Sequence, residues 1–202
     1  MNPSGTSGTL RPSPVVLLLV DFINPLDFPG SDDLAAGALR AAQATAVLKR
    51  RAARRGIACI YANDNYGIWH SDFEDVRRHC LRQGPEARRI AHLLAPAPRD
   101  FTVLKPRHSA FYCTPLSLLL EQLQARRLII TGLAADNCVL ATAMDAYVRN
   151  LALWVPQDCV AAEHRAHHEA ALEQMARVFK AETRPALARP LPGGARPRAA
   201  GA

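Results

Sequence analysis

The chain has 202 residues, 49% of them hydrophobic and 21% charged, which is enough for one well-buried domain and too few for two large ones. Its formal charge is +7, but Arg184, Arg189, Arg196 and Arg198 of the final segment, with no acid among them, carry more than half of that excess. A nucleic-acid partner is therefore not expected, and apolar runs such as VVLLLV are far too short to span a membrane.

Residues 1–14 are rich in Ser, Gly, Thr and Pro and have neither the basic start nor the apolar stretch of a secretory signal, so they read as an unstructured lead to a soluble, cytoplasmic protein. VVLLLV (15–20) is the first strand, and residues 34–54 carry a helical pattern. IACIYA (57–62) is the second strand, followed by a helical stretch over 75–94 that Gly84-Pro85 interrupts. FTVL (101–104) precedes a helix over 115–125, RLIIT (127–131) precedes one over 138–149, and LALWV (151–155) precedes one over 166–179. A short last strand is expected over 180–183. Residues 184–202 are too rich in Pro, Gly and Arg for a packed element, so a single domain is expected over 15–183.

Near-continuous apolar strands alternating with helices specify an α/β fold, a three-layer α/β/α domain around a mostly parallel sheet. In such a sheet ligands gather beyond the carboxyl ends of the strands, so the polar residues that end each run become candidates. They are Asp21 after the first strand, Asn63-Asp64-Asn65 after the second, Lys105 after the third and Cys138 after the fourth.

An acid, a base and a thiol from separate strand ends are the parts of a cysteine hydrolase. A thiol attacks a carbonyl as thiolate, and its ordinary pKa near 8.5 leaves it mostly protonated at neutral pH. A helix start at Cys138 and the charge of Lys105 lower that pKa in this reading. Asp21 takes the proton, returns it to a leaving amine and later activates water. The loop 132–137 offers backbone N–H groups to a developing oxyanion, and the scheme requires no metal or other cofactor.

Cys59, Cys80, Cys113 and Cys159 have no such company, show no zinc or disulfide spacing, and read as structural reduced thiols. Asp136 reads as the N-cap of the helix that follows it. His164, His167 and His168 read as a solvated face, with no carboxylates at ligand spacing in their own segment. Phe22, Asn65, Trp69, Phe111 and Tyr112 flank the strand ends and are candidates for the substrate pocket.

The segments VVLLLVDFINP, YANDNYGIWHSDF, VLKPRHSAFYCTPL and IITGLAADNCVLATAMDAYVRN, in this order, resemble the isochorismatase-like cysteine hydrolases over about residues 15–183. Members of that family include nicotinamidases, carbamoylsarcosine amidases and ureidoacrylate amidases. The resemblance implies a catalytic Asp21, Lys105 and Cys138. It also implies a non-proline cis peptide at Leu133-Ala134 and an oxyanion hole from the N–H groups of Ala134 and Cys138. It implies a homo-oligomer, dimer or tetramer, acting on a small amide-like molecule. The metal-binding histidines of nicotinamidases have no counterpart in Asn63-Asp64-Asn65, with the next histidine only at His70, so neither a metal nor nicotinamide is expected. An enol-ether hydrolase in which Cys138 is dispensable, and a non-catalytic small-molecule-binding relative, are the competing readings.

Overall fold

The structure is a computed structural model and describes residues 10–69 and 71–191. Six parallel strands form one sheet in the order β3-β2-β1-β4-β5, with β6 pairing to β4. They are β1 (Val15–Val20), β2 (Ala58–Asp64), β3 (Phe101–Lys105), β4 (Arg127–Leu133), β5 (Ala152–Trp154) and β6 (Val160–Ala161). β1 lies at the centre, in register with β2 from Val16↔Ala58 to Val20↔Ala62 and with β4 from Val15↔Arg127 to Val20↔Gly132.

The run VVLLLV is buried on both faces because alternate side chains enter different layers. Val15, Leu17 and Leu19 pack with α1 (Ser31–Arg54), α2 (Phe73–Cys80) and α3 (Pro85–Leu93). Val16, Leu18 and Val20 pack with α4 (Leu116–Gln122), α5 (Leu140–Val148) and α6 (Arg165–Arg177). Burial of each such leucine or valine side chain stabilises the fold by roughly 1.5–3 kcal/mol.

The helical stretch expected over 75–94 is two helices. Asp72 and Asp75 form a reciprocal capping box at the start of α2, and Gly84 with Pro85 at the first helical position restarts the chain as α3. α1 begins at Ser31, earlier than the apolar pattern indicates, with Asp32 and Asp33 in its first turn and Arg51 and Arg54 in its last, in keeping with the helix dipole. The last strand expected over 180–183 is reduced to one bridge, Trp154↔Glu182. No helix among the described residues is long and apolar enough to cross a membrane.

Contacts at both ends reach beyond residues 15–183. Ser13 is buried and bonds to the carbonyl of Val15 and the N–H of Ala58, while Pro14 accepts the N–H groups of Arg126 and Arg127. At the other end the Pro-rich segment 184–191 packs on α1 without a helix or strand. Arg51 donates to the carbonyls of Ala186 (2.6 Å) and Arg189 (3.0 Å), and Arg55 to that of Leu191 (3.0 Å), with Ala186 and Leu191 buried. Arginines of another element satisfy these carbonyls, a pairing invisible in local composition. Residues 1–9 and 192–202, where unstructured ends are also expected, lie outside the described residues.

Candidate active site

The chain runs from β1 outward to β2 and β3, then returns past β1 to β4. The carboxyl ends of β1 and β4 therefore meet where the direction reverses, the usual position of a ligand crevice. Their approach depends on Gly132, whose φ is +139°; a Cβ built there would lie 2.0 Å from the carbonyl oxygen of Val20. No side chain fits, and the backbones of β1 and β4 touch where the site begins.

Asp21 follows β1 in the left-handed region (φ 49°), which aims its carboxylate across the sheet rather than along the strand. It is 4% exposed. Oδ1 accepts the N–H of Asp64 (2.7 Å) and Oδ2 lies 2.7 Å from the ammonium of Lys105. Lys105, at the end of β3, is wholly buried and also reaches the carbonyl of Arg107 (3.2 Å), the sulfur of Cys138 (3.6 Å) and Asp64 (3.7 Å). The structure thus brings Asp21, Lys105 and Cys138 together from three strand ends.

The electrostatics of this cluster are set by burial and by the short Asp21–Lys105 contact. Burial raises the pKa of Asp21 and Lys105 pulls it down, with burial prevailing. Burial works against the charged form of Lys105, but Asp21, Cys138 and Asp64 outweigh it and raise its pKa. Burial and then the carboxylate of Asp21 push the Cys138 thiol up to about 12, and Lys105 offsets this only in part. The direction is opposite to the lowered thiol pKa expected from the sequence, because the carboxylate stands beside the sulfur together with the ammonium and the thiol is largely buried. Cys80 is pushed to about 12, and Cys59 and Cys159 upward as well, chiefly by burial. Cys138 differs from those three in its partners and its partial exposure.

Cys138 belongs to a π-helical turn, Ala135–Val139, that runs directly into α5. The peptide bond from Leu133 to Ala134 is cis. The carbonyl of Ala134 accepts the N–H groups of Asn137 (3.1 Å) and Val139 (3.2 Å), so the N–H of Cys138 lies within the turn between them. Asp136 makes no side-chain cap; its carboxylate pairs with His167 at 3.5 Å across to α6.

The candidate pocket residues divide. Asn65 is buried, bonds through its N–H to the carbonyl of Lys105 (3.1 Å), and helps line a cavity of about 440 Å³ with Pro25, Asp27, Tyr66, Ile68 and Val76. Phe22 is fully buried in the α1-side core; Phe111 is buried in the opposite layer, where the Arg149 guanidinium covers its ring at 4.6 Å and where it lines a separate cavity with Leu120 and Leu151. Trp69 (77% exposed) and Tyr112 (56%) stand open to solvent.

Two further residues border the cluster. Asp64, one of the strand-end candidates, lies 3.7 Å from the Lys105 ammonium. His108, whose Nδ1 is 3.8 Å from the Cys138 sulfur, lies in the β3–α4 loop, where no periodicity marks it.

The end of β2 presents one carboxylate and two amides but no histidine. Asn63 donates its amide N–H to the carbonyl of Ile23 (2.6 Å) and keeps its buried Oδ1 without a partner, while Asn65 Oδ1 accepts the N–H of Gly67 (3.0 Å). Asp64, the one carboxylate, accepts the N–H of Tyr66 (2.6 Å) and faces the Lys105 cation. Among the described residues no group of three or more His, Cys, Asp or Glu side chains could hold a metal ion, and His70 lies outside them.

The chain is similar to known proteins. The model of the Isochorismatase domain matches residues 15–184. An isochorismatase family protein of Bacillus subtilis (strain 168) is 39% identical, covering 82% of this chain and 91% of its own. A ureidoacrylate amidohydrolase of Methylorubrum extorquens is 31% identical, covering 73% and 74% respectively. Among solved structures, an isochorismatase family protein from Desulfovibrio vulgaris superimposes with a TM-score of 0.71 at 25% identity, covering 87% of this chain and 96% of that one.

Proposed function

The chain belongs to the isochorismatase family of hydrolases, and on that premise we propose that it cleaves the C–N bond of a small amide, carbamoyl or ureido compound through a thioester on Cys138. The observation that carries this reading is the convergence of a buried carboxylate, a buried ammonium and a partly exposed thiol, with Lys105 2.7 Å from Asp21 and 3.6 Å from Cys138. The amidohydrolase name of the Methylorubrum relative supports the choice of an amide-like substrate.

With its pKa raised to about 12, the resting thiol keeps its proton. The nucleophile is then generated only as a substrate carbonyl arrives: Sγ attacks carbon while its proton passes to Asp21, whose own pKa is raised by burial. Lys105 stays cationic. It holds Asp21 in place and balances the negative charge that moves between carboxylate and sulfur. The backbone N–H groups of Ala134 and Cys138 receive the oxyanion, and Asp21 returns its proton to the departing nitrogen as the C–N bond breaks. A carboxylate that both accepts and donates fits an acid–base contribution of about 10²–10⁴-fold.

Ammonia release from a panel of small amides, carbamoyl compounds and ureides, with Cys138→Ala as control, tests the reading. Turnover that vanishes in Cys138→Ala supports it. Turnover that persists there points to the enol-ether chemistry, and no turnover with any member of the panel points to a binding protein.

A further inference from the structure

We infer that His108 is the base that activates the hydrolytic water in the second half of the reaction, an assignment that rests on the thioester reading of Cys138. Asp21, which takes the thiol proton, sits on the closed side of the sulfur: it is 4% exposed, and its carboxylate meets the N–H of Asp64 (2.7 Å), the ammonium of Lys105 (2.7 Å) and the Cys138 thiol. Lys105 is wholly buried and cationic, with no lone pair to accept a proton. His108 is exposed to solvent, and its Nδ1 lies 3.8 Å from Sγ. A water that reaches an acyl group on Cys138 from solvent meets this imidazole, and a neutral imidazole is the side chain suited to accept and return a proton near neutral pH.

The loop that carries His108 is anchored to the nucleophile's own helix. The carbonyl of Arg107 takes a hydrogen bond from Lys105 (3.2 Å). Ser109 donates to the carboxylate of Asp145, and the N–H of Ala110 donates to the hydroxyl of Thr142 (3.0 Å). Asp145 and Thr142 both belong to α5, which continues the turn holding Cys138. The residues on both sides of His108 are therefore held beside the sulfur, and its side chain faces solvent.

The step balances with His108 neutral and its proton on Nε2. Water's oxygen bonds to the thioester carbon as one O–H bond breaks, and that proton goes to Nδ1. The tetrahedral intermediate then collapses with cleavage of the C–S bond, and Sγ takes the proton from Nδ1. A carboxylic acid departs, leaving the thiol and the neutral imidazole as they began. Asp21 and His108 thus divide the reaction, one serving acylation from within the fold and the other deacylation from solvent.

The test uses p-nitrophenyl acetate, whose leaving group needs no proton, so that the slow phase reports deacylation alone. Wild type, Cys138→Ala, His108→Gln and His108→Ala are compared by stopped flow and by intact mass spectrometry. The expected result is a Cys138-dependent burst that the His108 variants retain, followed by a steady state about 10²-fold slower than wild type, with an acetyl adduct accumulating on Cys138. Hydroxylamine attacks a thioester without a base, so adding it should restore turnover in the variants, which a merely structural defect would not allow. A burst with unchanged deacylation in both variants overturns the role of His108 alone. Absence of any Cys138-dependent burst in the wild type overturns the thioester reading and this inference with it.

Discussion

Lys105 holds its ammonium 2.7 Å from the carboxylate of Asp21, with the lysine side chain fully buried and the aspartate side chain 6% exposed. A pair so enclosed is costly to form and costlier to break, because removal of one partner leaves a lone charge without water. Lys105→Met should destabilise the fold by about 3–5 kcal/mol, while the double variant Asp21→Asn, Lys105→Met should recover part of that loss. Urea denaturation of the two singles and the double decides it. Equal losses in the double and in Lys105→Met would mean that the pair does not govern this burial.

The raised thiol pKa gives the free protein a defined pH behaviour. Cys138 stands at about 12 against an ordinary 9.0, so its thiol form favours the folded state below pH 9. That contribution is lost as pH rises from 9 through 12. Cys80, also at about 12, adds to the same loss. Stability should therefore fall across that interval. Alkylation of Cys138 by iodoacetamide should keep rising with pH well above neutral instead of levelling off near 7. Peptide mapping should find the exposed Cys113 modified first and the buried Cys59, Cys80 and Cys159 last.

Asp21→Asn keeps the shape of the side chain but removes the proton acceptor. With a small amide as substrate, acylation should slow by roughly 10²-fold or more, and no acyl adduct should build up on Cys138. Cys138→Ala should abolish turnover while leaving substrate binding measurable by calorimetry. An Asp21→Asn protein that turns over at the wild-type rate would remove the carboxylate from the mechanism.

Gly132→Ala should be among the most damaging single-methyl changes in the molecule. Its Cβ would sit 2.0 Å from the Val20 carbonyl oxygen at a φ of +139°, so β1 and β4 must separate at the site; we expect a loss of about 3 kcal/mol or more. Gly56→Ala, also at positive φ (+66°) but with nothing within 4 Å, should cost only about 1–2 kcal/mol. Thermal melts of both variants provide the comparison.

Chelator treatment should leave activity and melting temperature unchanged, because Asn65 Oδ1 accepts a backbone N–H, Asp64 faces Lys105, and no group of three or more His, Cys, Asp or Glu side chains among the described residues could hold a metal ion. Activity that disappears with EDTA and returns with one divalent ion would overturn this.

The sequence by itself determined the layered α/β plan and the three residues that converge, because both follow from one-dimensional patterns. Runs such as VVLLLV alternate with helical periodicity, and a polar residue at the end of a buried strand must emerge on the same edge of a parallel sheet as its counterparts. Asp21, Lys105 and Cys138 were legible for that reason. What only the tertiary structure decided depends on distance and direction between segments far apart in the chain. Phe22 and Phe111 turn into opposite core layers, and the Pro-rich segment 184–191 packs because Arg51 of α1 and Arg55 just after it reach its carbonyls. The thiol of Cys138 is raised rather than lowered, since its pKa follows from how closely Asp21, Lys105 and water approach the sulfur. His108 reaches that sulfur through the course of a loop, and loop dihedrals leave no periodic trace in the residues that adopt them.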